Sequence, residues 1–410
     1  MASDDVHAAL WEGNASMLIH RNVRDALLAA AKDYPVVSIT GPRQSGKTTL
    51  ARETFPDYEY VSLENPDVLQ AFRDDPNTFL HVHSSHVIFD EAQRAPQLFS
   101  YLQQVVDSSR ETGRFVLTGS QNFLLMDAIG QSLAGRVELL TLLPLSYYEL
   151  SRSHLQPRSL EEWIFQGGYP RMYDASILPN RYFPNYIQTY LERDVRNELG
   201  VRRLHDFQLF LQLCALRTSQ QLNISNLASS AGIAFNTAKE WLSILEASGI
   251  IYLLEPYYSN CGKSLVKSPK LYFVDTGLAA NLMGIRDASE LSLGEFRSPL
   301  FETYVISEVL KAGYEQGIKP QLSYWRDTHK NEVDLIVRHG LKPVQAIEIK
   351  SSATYNARYF DILNKVGQDD LGLSPIARAV VYGGSSPLHT QWGDVVPFSD
   401  VHDAAIGWLS

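Results

Sequence analysis

Residues 37–55 read VSITGPRQSGKTTLARETF, and this stretch decides the fold of the first part of the chain. A β-branched run leads into Gly41-x-x-x-x-Gly46-Lys47-Thr48, and the residues that follow have helical character. Strand, glycine loop and helix in this order predict a phosphate-binding loop, because backbone N–H groups and a helix N-terminus then converge on an anion. We expect Lys47 to reach the β- and γ-phosphates and Thr48 to hold Mg²⁺. The predicted ATP-binding residues are Gly41, Pro42, Arg43, Gln44, Ser45, Gly46, Lys47, Thr48 and Thr49.

Two further apolar runs supply the predicted partners of this loop. HVIFDEAQR (86–94) ends in Asp90, assigned to Mg²⁺, and Glu91, which would polarise the attacking water. RFVLTGS (114–120) ends in small polar residues, so Ser120 or Gln121 is expected near the γ-phosphate or that water. A helix cap is the alternative for the two carboxylates, and a turn after a strand is the alternative for Ser120.

Composition and charge narrow the class of protein. The chain has 410 residues, 45% of them hydrophobic and 20% charged, which fits a globular protein of two to four domains. The net charge of −10 argues against general nucleic-acid binding; residues 201–270 are basic, with 7 Lys and Arg against 4 Asp and Glu. We expect a cytoplasmic protein with no membrane contact. The chain has two cysteines, no apolar run of membrane length and a start without a secretory pattern.

Five stretches of the chain resemble the bacterial and archaeal AAA+-type ATPases that carry a domain of unknown function after the ATPase part. They are YPVVSITGPRQSGKTTL, VIFDEAQRAPQLFSYLQQVVD, FVLTGSQNFLLM, SLAGRVELLTLLPLSYYEL and GGYPR, and the resemblance runs from about Leu18 to past Lys350. It implies ATP and Mg²⁺ as cofactors and a homo-oligomer. It also implies that Arg136 is a catalytic finger reaching a neighbouring subunit's nucleotide, and that Arg171 is a sensor in a helical lid.

Residues 222–260 predict a helix-turn-helix. Apolar residues recur at i, i+3, i+4 and i+7 from Ile224 and again from Ala238, with Gly232 in the turn between them. Thr237 and Glu240 have the spacing of a capping box for the second helix. GIIYLLEPYY and KLYFVD then have the pattern of two strands, so the segment is predicted to be a winged helix.

The sequence of the predicted winged helix is compatible with two kinds of partner. The exposed side of the second helix is a poor surface for reading the major groove, since it offers Asn236, Thr237, Lys239, Glu240 and Ser243. The predicted wing offers better phosphate partners in Lys263, Lys267 and Lys270. Contact with DNA or RNA and contact with a protein therefore both remain as alternatives.

The last third of the chain predicts a cluster of carboxylates. A helix (300–313) carries Glu302 and Glu308, a strand carries Asp334, and a further strand carries Glu348 and Lys350 on one face. This order resembles the PD-(D/E)XK phosphodiesterase superfamily. The resemblance implies a second divalent metal on Glu302 or Glu308, Asp334 and Glu348, with Lys350 orienting a water. The alternative is a domain kept for structure or binding.

Together these observations predict an α/β chain: a P-loop AAA+ ATPase core (1–150), a helical lid (151–204), a winged helix (205–262) and an α/β restriction-endonuclease-like domain (263–410). The expected function is Mg²⁺-dependent ATP binding and hydrolysis by an oligomer, coupled to nucleic-acid processing. The alternative is a nucleotide-gated switch that binds protein or nucleic acid without cutting it.

Overall fold

A parallel five-stranded sheet forms the centre of the N-terminal part. The computed structural model describes residues 19–120, 130, 132–191, 204–257, 268–367 and 371–410. Strand order is β2-β3-β4-β1-β5, and the central strands are fully buried because helices cover both faces of a parallel sheet. The strands are Val36–Thr40 (β1), Glu59–Ser62 (β2), Val87–Asp90 (β3), Phe115–Thr118 (β4) and Val137–Thr141 (β5). The helices are Arg24–Asp33 (α1), Lys47–Thr54 (α2), Pro66–Asp74 (α3), Pro76–Val82 (α4) and Gln97–Asp107 (α5).

Short helices follow the sheet. The first is fixed by a capping box in which Ser146 and Glu149 exchange side-chain and backbone hydrogen bonds. The helices are Tyr147–Arg152 (α6), Leu160–Gln166 (α7), Pro170–Asp174 (α8) and Pro179–Tyr186 (α9), continued by a π-helical turn, Ile187–Leu191. Residues 192–203, near the end of the predicted helical lid (151–204), lie outside the described residues.

Three helices and a two-stranded antiparallel hairpin make up the middle of the chain. Gly232 ends the second helix in the left-handed conformation, with φ +66°, as its place in the predicted turn requires. The predicted capping box at Thr237 and Glu240 is wrong, because the third helix already begins at Phe235 after an Ala234 that makes no side-chain cap. The elements are Leu204–Ala215 (α10), Ile224–Ala231 (α11), Phe235–Ala247 (α12), Ile251–Leu254 (β6) and Lys270–Phe273 (β7).

A mixed six-stranded sheet, in the order β12-β13-β11-β10-β9-β8, forms the C-terminal part. Its strands are Leu322–Arg326 (β8), Glu332–His339 (β9), Lys342–Lys350 (β10), Arg378–Tyr382 (β11), Leu388–Thr390 (β12) and Gly393–Pro397 (β13). Its helices are Thr276–Leu282 (α13), Ser289–Leu293 (α14), Arg297–Glu315 (α15), Asp361–Gly367 (α16) and Val401–Leu409 (α17).

One apolar core joins the short helices, the middle segment and the C-terminal part, from Ile19 to Leu409. Two separate clusters pack on the N-terminal sheet, and a further one belongs to the C-terminal part. Helix α15 is buried along almost its whole length, from Leu300 to Gly313, because elements of several parts pack around it. Within the described ranges, no helix has both the length and the apolar character needed to cross a membrane.

Candidate functional site

At Gly41 the glycine loop approaches its surroundings so closely that a side chain would not fit. Gly41 has φ +139°, and a Cβ built there would lie 2.1 Å from the carbonyl oxygen of Leu142. Gly46 has φ +96° and precedes α2 directly. The ammonium of Lys47 donates to the carbonyl oxygens of Gly41 at 3.0 Å and Pro42 at 2.8 Å. The loop is thus curled around the lysine side chain that it was predicted to present.

Asp90, at the end of β3, accepts hydrogen bonds from three hydroxyls. Thr48 Oγ1 and Tyr60 Oη lie 2.8 Å from its two carboxylate oxygens, and Thr118 Oγ1 donates to the same oxygen as Thr48. Burial and the hydrogen bond to Asp90 raise the pKa of Tyr60 to about 12, so its hydroxyl remains a donor at neutral pH. Hydroxyl and carboxylate oxygens are hard ligands, and Thr48 with Asp90 fits Mg²⁺. Sequence patterns gave no sign of Tyr60 or Thr118.

Glu91 is turned toward the same place by an uncommon backbone conformation. Its φ of +55° is left-handed, which a non-glycine residue adopts at a cost and often at a functional site. Its carboxylate accepts from Gln93 Nε2 and, at 3.3 Å, from Ser120 Oγ. The structure therefore brings together Glu91 and Ser120, which were predicted from separate strands; Gln121 lies outside the described residues.

A cavity of about 540 Å³ opens on this arrangement. Glycine-loop residues, Glu91 and Ser120 form one side, and helix α8 closes the other side with Pro170, Arg171 and Asp174. Tyr182 of α9 donates to Gln44 Oε1 at 2.8 Å, so the loop is also contacted from the segment that follows α8. The cavity has the residues to hold a triphosphate between the loop and the predicted lid. The remaining lining residues are Ile19, Arg21, Arg43, Gln44, Gly46, Lys47, Thr48, Thr49, Leu50, Glu53, Leu145 and Ala175.

Arg136 does not line this cavity. It precedes β5 and pairs with Asp107 at the end of α5, with Nε 2.5 Å from Oδ1 and Nη2 2.9 Å from Oδ2. Its side chain is 34% exposed. Hydrogen bonding to Asp107 raises the pKa of the guanidinium, which is charged in any case. Arg136 therefore lies outside the cavity that its own glycine loop lines.

Arg21 holds the loop in place, and sequence reasoning missed it. Its guanidinium donates to the carbonyl oxygens of Ser45 at 2.6 Å and Leu143 at 2.7 Å, and to Glu149 Oε1 at 3.0 Å. Both charged side chains are almost completely buried. The S-x-x-E spacing of Ser146 and Glu149 is a sequence signal for a helix start, but nothing local indicates that Glu149 also holds Arg21.

The two glycines of GGYPR mark the junction with the C-terminal part. A Cβ at Gly167 would lie 2.4 Å from Asp275 Oδ1, and one at Gly168 would lie 2.2 Å from the carbonyl oxygen of Leu145. Asp275 accepts from the backbone N–H of Gly168 at 2.7 Å. Lys311 of α15 donates to the same Leu145 carbonyl at 3.0 Å. The segment that leads into α8 is therefore fastened to Asp275 directly and to Lys311 through Leu145, whose backbone N–H donates to Gly168 O at 2.7 Å.

The C-terminal carboxylates predicted from the sequence gather only in part. Glu302, Asp334 and Glu348 come together, and the neighbouring strands are linked by a hydrogen bond from Ile349 N to Asp334 Oδ2 at 2.8 Å. Burial and the charge of Asp334 raise the pKa of Glu302 to about 7 and that of Glu348 to about 8. Lys350 contacts Glu348 across the shared strand face, as its spacing predicted.

Glu308, the alternative to Glu302, points elsewhere. Six residues turn a helix by about 600°, so the two glutamates face different sides of α15. Glu308 accepts from the backbone N–H of Tyr147 at 3.0 Å and pairs with Lys311 at 3.1 Å. Burial raises the pKa of Glu308, and the charge of Lys311 opposes that rise. It belongs to the junction with the ATPase part and not to the carboxylate cluster.

The prediction of Lys270 as an exposed phosphate partner is wrong. Its side chain is 4% exposed, and its ammonium lies 3.0 Å from Glu302, 2.5 Å from Glu332 and 4.0 Å from Asp334. Although burial opposes it, the charges of these carboxylates raise the pKa of Lys270. In the parts of the chain described here, no group of three or more His, Cys, Asp or Glu is arranged to hold a metal ion. The predicted second metal is therefore unsupported.

Most of the residues predicted to be exposed on the second helix of the helix-turn-helix are exposed in the structure. Asn236, Lys239, Glu240 and Ser243 are exposed on α12. Thr237 is half-buried. The predicted phosphate partners Lys263 and Lys267 lie outside the described residues.

The parallel sheet, the glycine loop and the carboxylate at the end of β3 define an AAA-type P-loop ATPase domain. Residues 33–151 match the family model described as AAA domain. Two further models, both described as domains of unknown function, DUF8612 and DUF4143, match residues 157–289 and 297–401.

The chain belongs to the family of the uncharacterized protein Rv2008c of Mycobacterium tuberculosis. The two are 34% identical over 361 residues, which cover 86% of this chain and 78% of that protein. An uncharacterized protein of Haemophilus influenzae is 26% identical over 232 residues, covering 53% of this chain and 56% of its own length.

Solved structures show weaker similarity. The Walker-type ATPase PABY2304 of Pyrococcus abyssi has a TM-score of 0.44 and 17% identity, covering 65% of this chain and 96% of its own. AMPPCP-bound DnaA from Aquifex aeolicus has a TM-score of 0.30 and 15% identity, covering 55% of this chain and 85% of its own.

Proposed function

We propose that the chain is a Mg²⁺-dependent ATP hydrolase. The observation that carries the proposal is the 2.8 Å hydrogen bond from Thr48 Oγ1 to Asp90 Oδ1, at the edge of the cavity formed by the glycine loop. These two residues would hold Mg²⁺, which supplies neutralising charge to the phosphates when bound. Lys47 adds positive charge at the transferred phosphoryl group. Glu91, oriented by Ser120 and Gln93, polarises the attacking water.

Two substitutions test this proposal. Lys47→Ala removes the main protein charge on the phosphates, so both ATP binding and turnover should be lost. Glu91→Gln keeps the shape of the site but removes the base, so ATP binding should persist while turnover falls by about 10²-fold. Glu64→Gln is the control, since that carboxylate is 60% exposed and pairs with Arg94 at the surface. Turnover at the wild-type rate in both test variants would contradict the proposal.

The proposed active form is an oligomer in which Arg136 serves a neighbouring subunit. The absence of Arg136 from the lining of its own cavity supports a role in trans. The ion pair of Arg136 with Asp107 is near the surface. A triphosphate of a neighbouring subunit carries more negative charge than Asp107, so it would compete with Asp107 for the guanidinium. Arg171 is the proposed lid sensor, since it lines the cavity from α8.

The proposed role of the remaining chain is contact with nucleic acid. The order of three helices and an antiparallel hairpin supports a winged helix, and the order α15-β8-β9-β10-α16-β11 with Asp334, Glu348 and Lys350 supports a nuclease-like fold. On this proposal ATP turnover repositions a strand that the C-terminal domain cuts.

A second candidate is a nucleotide-gated switch that binds protein or nucleic acid without cutting it. The ion pairs of Lys270 favour this candidate, because they occupy carboxylates that a metal-dependent nuclease needs free. Shortening of a DNA or RNA strand in Mg²⁺ would favour the nuclease, whereas ATP-dependent retention of an intact strand would favour the switch.

A further inference from the structure

The two oxygens of the Asp90 carboxylate are held by hydroxyls from three elements of the fold. Thr48 of α2 donates to Oδ1 at 2.8 Å, and Thr118 of β4 donates to the same oxygen. Tyr60 of β2 donates to Oδ2 at 2.8 Å, and no other described residue donates to that oxygen. The terminal torsion of an aspartate has a broad energy profile, so hydrogen bonds decide the plane of its carboxylate. Tyr60 therefore holds one side of this plane, and the two threonines hold the other.

The side chain of Tyr60 reaches Asp90 from β2, an edge strand of the parallel sheet. Tyr60 is 38% exposed and belongs to neither of the apolar clusters on this sheet. The guanidinium carbon of Arg52 lies over its ring, 4.9 Å from the ring centre, and a cation over an aromatic face is attracted to it. A cavity of about 500 Å³ is lined by both residues. Because the ring is not packed into the core, the hydrogen bond to Asp90 is its main directed contact.

Tyr58, two positions earlier, lines the same cavity but makes a different contact. Its hydroxyl donates to the carbonyl oxygen of Gly113 at 2.5 Å, and its ring packs against Phe55 with the ring centres 4.7 Å apart. This hydrogen bond ties the start of β2 to the turn before β4 and does not involve Asp90. The two tyrosines thus form a matched pair, in which one hydroxyl contacts the backbone and the other contacts a residue of the proposed Mg²⁺ site.

We propose that Tyr60 is a positioning residue for Mg²⁺, because its hydroxyl holds the Asp90 carboxylate in the plane that presents it to the metal together with Thr48. Without the Tyr60 hydroxyl, both remaining donors lie on Oδ1, and the carboxylate is free to turn about that oxygen. Hydrogen-bond partners that orient metal ligands typically contribute about 10- to 100-fold to metal affinity. The inference rests on the proposed function, since it concerns the same Mg²⁺ site, and it adds a residue from outside the glycine loop and the strand that ends in Asp90.

Equilibrium binding of AMPPCP, a non-hydrolysable ATP analogue, to the full chain tests this inference. The dissociation constant is measured in EDTA and in Mg²⁺, and the first value divided by the second reports how much the metal strengthens binding. Tyr60→Phe removes one hydroxyl and keeps the ring beside Arg52. We expect this ratio to fall about tenfold in Tyr60→Phe, while the dissociation constant in EDTA stays at the wild-type value. Tyr58→Phe also removes one hydroxyl from the same cavity, and it should leave the ratio unchanged.

A merely structural role of Tyr60 would weaken binding equally in Mg²⁺ and in EDTA and leave the ratio at its wild-type value, and that result would overturn the inference. An equal fall of the ratio in Tyr60→Phe and Tyr58→Phe would overturn it too. In both cases wild type still binds AMPPCP more tightly in Mg²⁺ than in EDTA, so the proposed function stands. Wild type that binds AMPPCP no more tightly in Mg²⁺ than in EDTA would instead contradict the proposed Mg²⁺ site, and the inference with it.

Discussion

Replacing Asp275 by alanine tests how firmly residues 167–171 are fastened to the C-terminal part. The buried carboxylate accepts from Gly168 N at 2.7 Å and, as the N-cap of α13, from Leu278 N at 2.9 Å. An unsatisfied buried N–H costs about 1–3 kcal/mol, and loss of an N-cap costs about 1 kcal/mol. Burial raises the pKa of Asp275, so part of the loss is offset by removing a poorly solvated charge. We expect a net local cost of about 2–3 kcal/mol.

Amide hydrogen exchange measures this local loss of stability residue by residue. A local cost of about 2–3 kcal/mol corresponds to roughly 30- to 150-fold more frequent opening, which should appear at residues 167–171 and at the start of α13. Asp75→Ala is the matched control, because Asp75 is also an N-cap, accepting from Thr78 N at 3.1 Å, but it is exposed and distant in sequence from residues 167–171.

ATP affinity is the second readout of the Asp275 variant. Arg171 lies four residues after Gly167 and lines the cavity, so loosening of this segment should weaken ATP binding as well. Unchanged exchange at Gly168 in Asp275→Ala would refute the reasoning. Equal effects of Asp275→Ala and Asp75→Ala at residues 167–171 would refute it too.

Two further predictions concern assembly and pH. If Arg136 acts in trans, an equal mixture of the inactive variants Arg136→Ala and Lys47→Ala should regain up to about a quarter of the wild-type turnover. About a quarter of the interfaces in such a mixture pair an intact loop with an intact arginine. A mixture as inactive as its two components would contradict this role of Arg136. Burial lowers the pKa of His402, but the hydrogen bond and charge of Glu315 outweigh it and leave the pKa raised. The pair of His402 and Glu315 therefore stabilises the fold below the ordinary histidine pKa, and this contribution is lost as pH rises through the raised pKa of His402. Between about pH 6 and pH 9 the melting temperature should therefore fall less in His402→Gln than in wild type.

The sequence predicted the elements whose signals are local. The strand before the glycine loop, the strand ending in Asp90 and the strands carrying Asp334 and Glu348 all form as predicted. The first two are short and apolar. The two that carry Asp334 and Glu348 are longer and contain charged residues, and two-residue periodicity sets the direction of their side chains. The shared face of Glu348 and Lys350 follows from this periodicity alone.

Residues whose role depends on distant contacts were not predictable in this way. Lys270 has the local pattern of an exposed wing residue, but pairing with Gln221 and packing on Tyr324 bury it beside residues more than thirty positions away. Arg21 lies 128 positions from its partner Glu149. A buried ion pair between distant positions leaves no periodic signal in a single sequence, so neither residue could be found before the fold was known.

The glycine loop is contacted by segments from three other parts of the chain, and this gives nucleotide binding a route to the rest of the molecule. Arg21 donates to the carbonyl oxygen of Ser45, and Tyr182 donates to Gln44. Gly249, in the turn after α12, approaches so closely that a Cβ there would lie 3.1 Å from Pro42. A shift of the loop on binding ATP must alter at least one of these contacts. A ligand that binds the middle segment and favours one arrangement of the turn must therefore change the affinity for ATP. By linkage, ATP must change the affinity for that ligand by the same factor.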